Sequence, residues 1–570
     1  MRTLFRRKQI PDILKQLEAN QLADGHGALG KHLKVRDLTA FGIAAIIGAG
    51  IFSTIGEASY QAGPAVIFLF LFTAIACGFA AFAYAEFASI VPVSGSAYTY
   101  SYVAFGEIIA WIIGWALIME YAIGNITVAI SWSDYFTDML SNIKIAAMGI
   151  DGIHIPLWSQ MDYFSAYKGH QQAMILLESG KSLKDIPEAI QAAYSAYEQS
   201  PTLLGFHVIL DLPALFIIIL ITALVYRGIK ESRNASNAMV VIKLAVILLV
   251  VGVGVFYIDV SNWNPFAPKG IGGVLKGVSA VFFAYIGFDA ISTTAEECHD
   301  PQRDLPRGMM YSIIICTVLY VLIALVLTGM VPYKSLDVDD PLAFAFGSLG
   351  LDWISGMIAV SAVIAMAGVL LVFQLGQPRI WMAMSRDGLL PKSFGKVNKK
   401  YQTPGFSTVV AGVLVAGLVL VIDDKLMTDL TSIGTLFAFV LVSGGVLMLP
   451  RIKKEKDKFS IPYINAQYIF PLMYVLTFYL FQERTIKAVV KIGAEGYQEV
   501  LFLIFMVLAA ILAVLSFVKK YSLIPVLGVA CCMYLMVEIP AKSWIVFWGW
   551  MAFGLSIYLL YGKNNSKLNK

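Results

Sequence analysis

Residues 41–52 read Phe41-Gly-Ile-Ala-Ala-Ile-Ile-Gly48-Ala49-Gly50-Ile51-Phe52, inside a long apolar block. Gly48 and Gly50 flank a single small residue and permit backbone conformations that a helix forbids. The spacing predicts a helix that breaks halfway. A second block repeats the device: Phe282-Phe283-Ala284-Tyr285-Ile286-Gly287-Phe288-Asp289 sets a glycine mid-run, with an acid close behind it.

Unwound backbone in hydrocarbon has no water to satisfy it, so it survives only where it lines a cavity. There, free N–H groups at the start of a half-helix suit a carboxylate. Free carbonyls at the end of the other half suit an ammonium group. A zwitterionic α-amino acid carries both. Glycines also serve close helix packing with no ligand at all, but two breaks at corresponding places favour a site. The breaks lie five apolar blocks apart, the arrangement of two inverted five-helix repeats.

The composition places those blocks in a lipid bilayer. Of 570 residues, 58% are apolar and 14% charged, with a mean hydropathy of +0.73. Blocks of about 20 apolar residues cross a ~30 Å hydrocarbon core. The expected fold is an all-α integral membrane protein with about fourteen spans, at 37–62, 64–91, 106–139, 206–226, 236–257, 272–298, 308–331, 343–374, 405–422, 429–450, 466–482, 498–518, 521–538 and 541–561. Residues 37–450 form a ten-helix core with discontinuous first and sixth helices, and 451–570 add four peripheral helices and a short tail.

With the N-terminus in the cytoplasm, inner segments carry 29 Lys and Arg and the short outer loops seven. That bias puts both termini inside, in a cell (plasma) membrane. The 141–205 insertion then lies outside, where long loops cross with little regard to charge. Its stretch Lys181–Gln199 has helical spacing and reads as a small cap. Residues 1–36 hold eight Lys and Arg and no apolar run, so no removable signal peptide is expected. Within them Leu4, Ile10, Ile13, Leu14 and Leu17 alternate with basic residues, which predicts an amphipathic segment on the inner membrane surface.

Ionisable groups inside spans each need a partner or a purpose, at roughly 2.5–3.5 kcal/mol apiece on insertion scales. Lys243, Glu120 and Asp289 are the candidates for proton coupling; Glu86 sits near the inner end of the second span and reads as structural. Lys243 stands about two turns from the expected inner loop, so snorkelling competes with function there. Glu120 lies mid-helix, beyond the reach of that explanation. The formal charge of +4 is too small for nucleic-acid binding. The six histidines show no metal-ligand spacing, no G-x-x-x-x-G-K-[ST] loop is present, and no nucleophile–base set appears. An enzyme, an ATP-driven pump and a cofactor are therefore not expected. Cys77, Cys298, Cys316, Cys531 and Cys532 fall in or beside apolar blocks and read as packing residues.

Longer motifs add a family. They are Arg36-Asp37-Leu38 leading into Gly42–Phe52, Tyr84-Ala-Glu-Phe, Pro92-Val-Ser-Gly-Ser-Ala-Tyr-Thr-Tyr100, Gly106-Glu107 with Gly114-Trp115, and Phe282–Asp289 followed by Glu296-Glu297 and Pro301-Gln-Arg-Asp-Leu-Pro306. Gly376-Gln-Pro-Arg-Ile380 and Met384-Ser-Arg-Asp-Gly-Leu-Leu-Pro391 complete the set. Over about residues 30–450 and 521–561 the chain resembles the amino acid–polyamine–organocation (APC) superfamily, and within it the cationic amino acid transporters and their bacterial relatives. The resemblance implies a five-plus-five inverted-repeat core working by alternating access. It implies substrate contacts at Ile46, Gly48, Ala49 and Gly50, and at Phe283, Ala284 and Ile286, with Phe283 as an aromatic gate. Lys243 matches a lysine that looks like a stand-in for the sodium ion of sodium-coupled relatives. The long insertion and the two extra helices after 450 depart from the usual bacterial form.

The expectation is a secondary active amino acid transporter, coupled to protons, with an amino acid, a proton and the lipid bilayer as partners. Met366 and Val369 are expected to face the pocket with no acid, which leans towards neutral over cationic substrates. Obligate exchange, or a sensor with little flux, is the alternative.

Overall fold

The computed structural model describes residues 5–13, 15, 29–141, 144–145, 150–270, 273–274, 277–338, 340–421, 424–449, 459–490 and 498–569. Leu4, Leu14 and Leu17 of the expected amphipathic segment lie outside these residues. Among the described residues, eight helices are long and apolar enough to cross a membrane, and four shorter apolar helices accompany them.

The first expected span is seen in pieces. Helix α1 (Val35–Ile46) starts where Asp37 Oδ2 accepts from the Lys34 N–H at 3.1 Å. It ends at Ile47, whose ψ of 99° leaves the helical region. Helix α2 (Ala49–Phe52) resumes after Gly48 and runs through Ser53 into α3 (Thr54–Ala62). The remaining core helices are α4 (Val66–Ile90), α5 (Ser96–Ala104), α6 (Glu107–Ser141), and, past the insertion, α9 (Leu212–Arg227) and α10 (Ile229–Gly254). The sixth span is α11 (Val278–Phe283), a turn, and a 3-10 segment (Phe288–Glu297). Gly287 closes the turn at φ +114°, a left-handed conformation that glycine alone adopts at little cost. Then come α12 (Pro301–Met330), α13 (Pro341–Ser348), α14 (Asp352–Arg386), α15 (Gly405–Val419) and α16 (Asp424–Met448).

The packing repeats itself. Helix α4 lies on α12, α6 on α14 and α9 on α15. Helix α10 packs on α1 and α14, and its counterpart α16 packs on α11 and α6. Exchanging the first five spans for the second five preserves these contacts. Because each repeat has an odd number of spans, the second enters the bilayer from the opposite side, so the repeats are inverted.

Outward faces stay apolar: Phe216, Ile219, Val413 and Val514 are all exposed. Inward faces hold the polar groups, including Lys243, Glu120, Asp289, Glu297 and Arg379, all buried. That inversion of the usual soluble pattern is what a lipid solvent selects. After residue 450 come α17 (Ile469–Leu480), α18 (Gln482–Val490), α19 (Gln498–Lys519), α20 (Leu523–Val537) and α21 (Ala541–Ile557). Indoles tie α21 to the core: Trp115 stacks on Trp550 at 4.8 Å, and Trp111 Nε1 donates to Gly554 O at 2.9 Å.

Several boundaries differ from expectation. Residues 206–211 do not begin the fourth span; Phe206–His207 pairs with Thr202–Leu203 in a hairpin. Asp211 caps the helix by accepting from the Ala214 N–H at 2.9 Å, and Pro213 follows in the first turn. The fifth span begins at Ile229, seven residues early, because polar Lys230 to Asn237 continue the helix. In the insertion, α7 (Tyr163–Glu178) packs on α8 (Glu188–Glu198), and the Tyr163 N–H donates to Leu420 O at 3.2 Å.

Candidate functional site

The two breaks face each other. A Cβ on Gly50 would overlap the Cα of Ala284, and one on Gly287 would overlap the Cβ of Ala45. Glycine is therefore required at both positions by close approach, and at Gly287 by its positive φ as well. A Cβ on Gly48 would meet the Val369 side chain of α14 instead.

Between the breaks lies a small cavity of ≈ 10 Å³, about one water molecule's worth. Ile46, Gly48, Ala49 and Gly50 line it from the first span, and Phe283 and Ile286 from the sixth. Val128, Val369 and Phe373 complete the wall with Ala45. Of the expected site residues, Ala284 backs onto Gly50 rather than lining the cavity. Met366 is buried in α14 but does not line it, whereas Val369, one turn on, does.

Backbone polarity at the site is uneven. Among the described residues, the N–H groups of Gly48, Ala49 and Gly50 have no acceptor, and the Ile286 carbonyl has no donor. The carbonyls that end α1 are held: Lys243 Nζ donates to Ala44 O at 3.1 Å and Ile47 O at 2.7 Å. Lys243 is fully buried beside Gly368 of α14 and makes no ion pair among the described residues. Its ammonium turns inward to the break, so snorkelling does not describe it, and neither Glu120 nor Asp289 pairs with it.

Glu120 and Asp289 lie on a different side. Both are buried, and Tyr121 Oη donates to Asp289 Oδ2 at 3.2 Å. Gly434 of α16 packs against Glu120 as Gly368 packs against Lys243, an echo of the repeat. Glu86 accepts from the Ile461 N–H at 3.1 Å, a structural contact.

Sequence reasoning missed two features. The Tyr320 hydroxyl of α12 sits 2.7 Å from Ile46 O and 2.9 Å from Ala284 O, bridging the two broken helices. Arg379 and Glu297 form a buried two-pronged ion pair, with Nε to Oε2 at 2.7 Å and Nη2 to Oε1 at 2.5 Å. The Arg and Glu stood in the quoted motifs, without a role; a lone tyrosine in an apolar run carries little signal.

Two facing helix breaks inside an inverted-repeat helical bundle define a membrane transporter of the broken-helix class. The chain belongs to the amino acid permease family, whose signature spans residues 33–561. It is 35% identical to the branched-chain amino acid permease BcaP of Bacillus subtilis, covering all of this chain and 99% of that one. It is 34% identical to the methylthioribose transporter of the same organism, over the full length of both. The vacuolar cationic amino acid transporter 2 of Arabidopsis thaliana is 35% identical across 80% of this chain and 64% of its own.

Proposed function

We propose that this protein carries neutral amino acids with apolar side chains, coupled to protons, by alternating access between the two repeats. The carrying observation is that the N–H groups of Gly48, Ala49 and Gly50, beside the cavity, have no acceptor among the described residues. They suit a substrate carboxylate. The amine finds the Ile286 carbonyl and the remaining lone pairs on Ile46 and Ala284. Phe283 closes over the bound molecule, and Val128, Val369 and Phe373 meet its side chain. A wall without a carboxylate favours neutral over cationic side chains, because a buried cation needs a partner. The branched-chain permease relative supports the same choice.

Coupling is assigned to Lys243. As an ammonium it holds the end of α1 against α10; without its proton that hold weakens, and one access state is favoured over the other. Glu120 and Asp289 are further buried acids, separate from Lys243. Residues 37–450 act as the transport core, 451–570 as its surround, and both termini are cytoplasmic in the plasma membrane.

The methylthioribose transporter relative favours a second reading, a substrate that is not an amino acid. Competition in proteoliposomes separates the readings. Leucine, isoleucine and valine inhibit uptake if the first holds. Inhibition by arginine and lysine alone, or by methylthioribose alone, overturns it.

A further inference from the structure

Where the two chain ends meet, a cavity of ≈ 550 Å³ opens at the end of α14. It is lined by Arg7, Lys8 and Lys15 from the N-terminal segment, by Lys567 from the C-terminal tail, and by Asp12 and Asp387. Its walls are built, not draped. Lys8 pairs with Asp387, whose other oxygen accepts from Tyr98 Oη at 2.7 Å. The Arg6 guanidinium donates to the Leu568 carbonyl, and the Lys567 N–H donates to Asp387 O at 3.0 Å. Glu107 anchors the tail by accepting from Tyr558 at 2.9 Å and Ser566 at 2.6 Å. Ile13 is buried, so this part of the segment packs on the protein.

Asp387 is thus fully engaged, with Lys8 and Tyr98. The side chains of Arg7, Lys15 and Lys567 make no ion pair among the described residues, and Asp12 is the other acid on the lining. Three cations from two distant parts of the chain converge on a space large enough for a small ligand. We propose that this cavity binds a phosphate-bearing anion, either the headgroup of an anionic lipid or a free phosphate ester. Arg offers a planar fork for phosphate oxygens, and Lys a mobile point charge. Such an anion ties the N-terminal segment to the C-terminal tail across the end of α14. The same helix supplies Val369 and Phe373 to the cavity between the breaks. Occupancy therefore braces one end of the helix whose middle lines the cavity between the breaks.

The test uses the full chain in phosphatidylcholine nanodiscs. Phosphatidylglycerol is added to one set, and glycerol phosphate to the other, against chloride at equal ionic strength. Thermal unfolding is followed in each. A rise in melting temperature with phosphatidylglycerol only identifies the lipid headgroup; a rise with glycerol phosphate identifies a free phosphate ester. Each removed cation weakens binding about fivefold, so Arg7→Gln with Lys15→Gln and Lys567→Gln weakens it by roughly a hundredfold. If the triple variant does not fold, the three single variants are compared for the fivefold steps. No shift with either anion, or equal shifts in wild type and variants, overturns the proposal.

Discussion

The ammonium of Lys243 stands 2.7 Å from the carbonyl oxygen of Ile47, at the point where α1 stops being a helix. A helix end leaves its last carbonyls without intrahelical donors. Here a lysine side chain from α10, almost 200 residues away in sequence, supplies them. The interrupted helix is therefore clamped by a side chain that can gain and lose a proton.

Replacing Lys243 by Ala removes that clamp and leaves two buried carbonyls unpaired, at about 1–3 kcal/mol each. The expected outcome is loss of accumulation driven by a pH gradient, with amino acid exchange retained. Proteoliposome uptake with and without the gradient checks it. Undiminished gradient-driven accumulation in Lys243→Ala would move the proton to Glu120 or Asp289.

Tyr320→Phe deletes only the hydroxyl that bridges Ile46 O and Ala284 O. A net loss of about 0.5–1.5 kcal/mol per hydrogen bond corresponds to roughly a three- to tenfold rise in the substrate's dissociation constant. The expression level and fold of the variant are expected to be unchanged. Wild-type affinity in a binding titration would show that the bridge plays no part in shaping the site.

Gly48 and Gly50 are expected to respond differently to alanine. At Gly48 the new methyl meets a side chain, Val369, whereas at Gly50 it meets the backbone of Ala284. Gly48→Ala should destabilise by about 1–3 kcal/mol through overpacking, and Val369→Ala in the same chain should restore the melting temperature. Gly50→Ala has no such remedy, because backbone cannot be trimmed. Thermal unfolding of the two glycine variants, each with and without Val369→Ala, tests the difference; an equal rescue of Gly50→Ala by Val369→Ala would contradict the packing described.

Breaking the Arg379–Glu297 pair should be severe. Glu297→Gln leaves a buried guanidinium without its counter-charge, a loss of about 3–5 kcal/mol. Replacing both partners by apolar residues of similar volume should cost much less. A mild effect of Glu297→Gln on thermal unfolding would show that water reaches the pair.

The breaks were legible because glycine inside an apolar run is a local signal, paired at Gly48 and Gly50 and single at Gly287, and its recurrence five spans on gave the repeat. Lys243 and Asp289 were legible as charges where lipid tolerates few. The buried ion pair and the tyrosine bridge were not, because each joins distant segments: Glu297 is 82 residues from Arg379, and Tyr320 is 274 from Ile46. Hydropathy also misplaced helix ends. The start of α9 was written locally, in Asp211 and Pro213, a cap and a first-turn proline. The apolar hairpin just before it obscured that signal. Met366 and Val369 sit one turn apart on α14, and only contact with the broken helices decides which faces the cavity.

The central claim is proton-driven transport of neutral amino acids through the paired breaks. The most direct measurement is uptake of labelled leucine into proteoliposomes of the purified protein, with and without an acidic exterior. Leucine is predicted to accumulate inside above its external concentration only when the gradient is imposed, and unlabelled isoleucine and valine are predicted to suppress it. Equal equilibration under both conditions, or no uptake of any neutral amino acid, would contradict it.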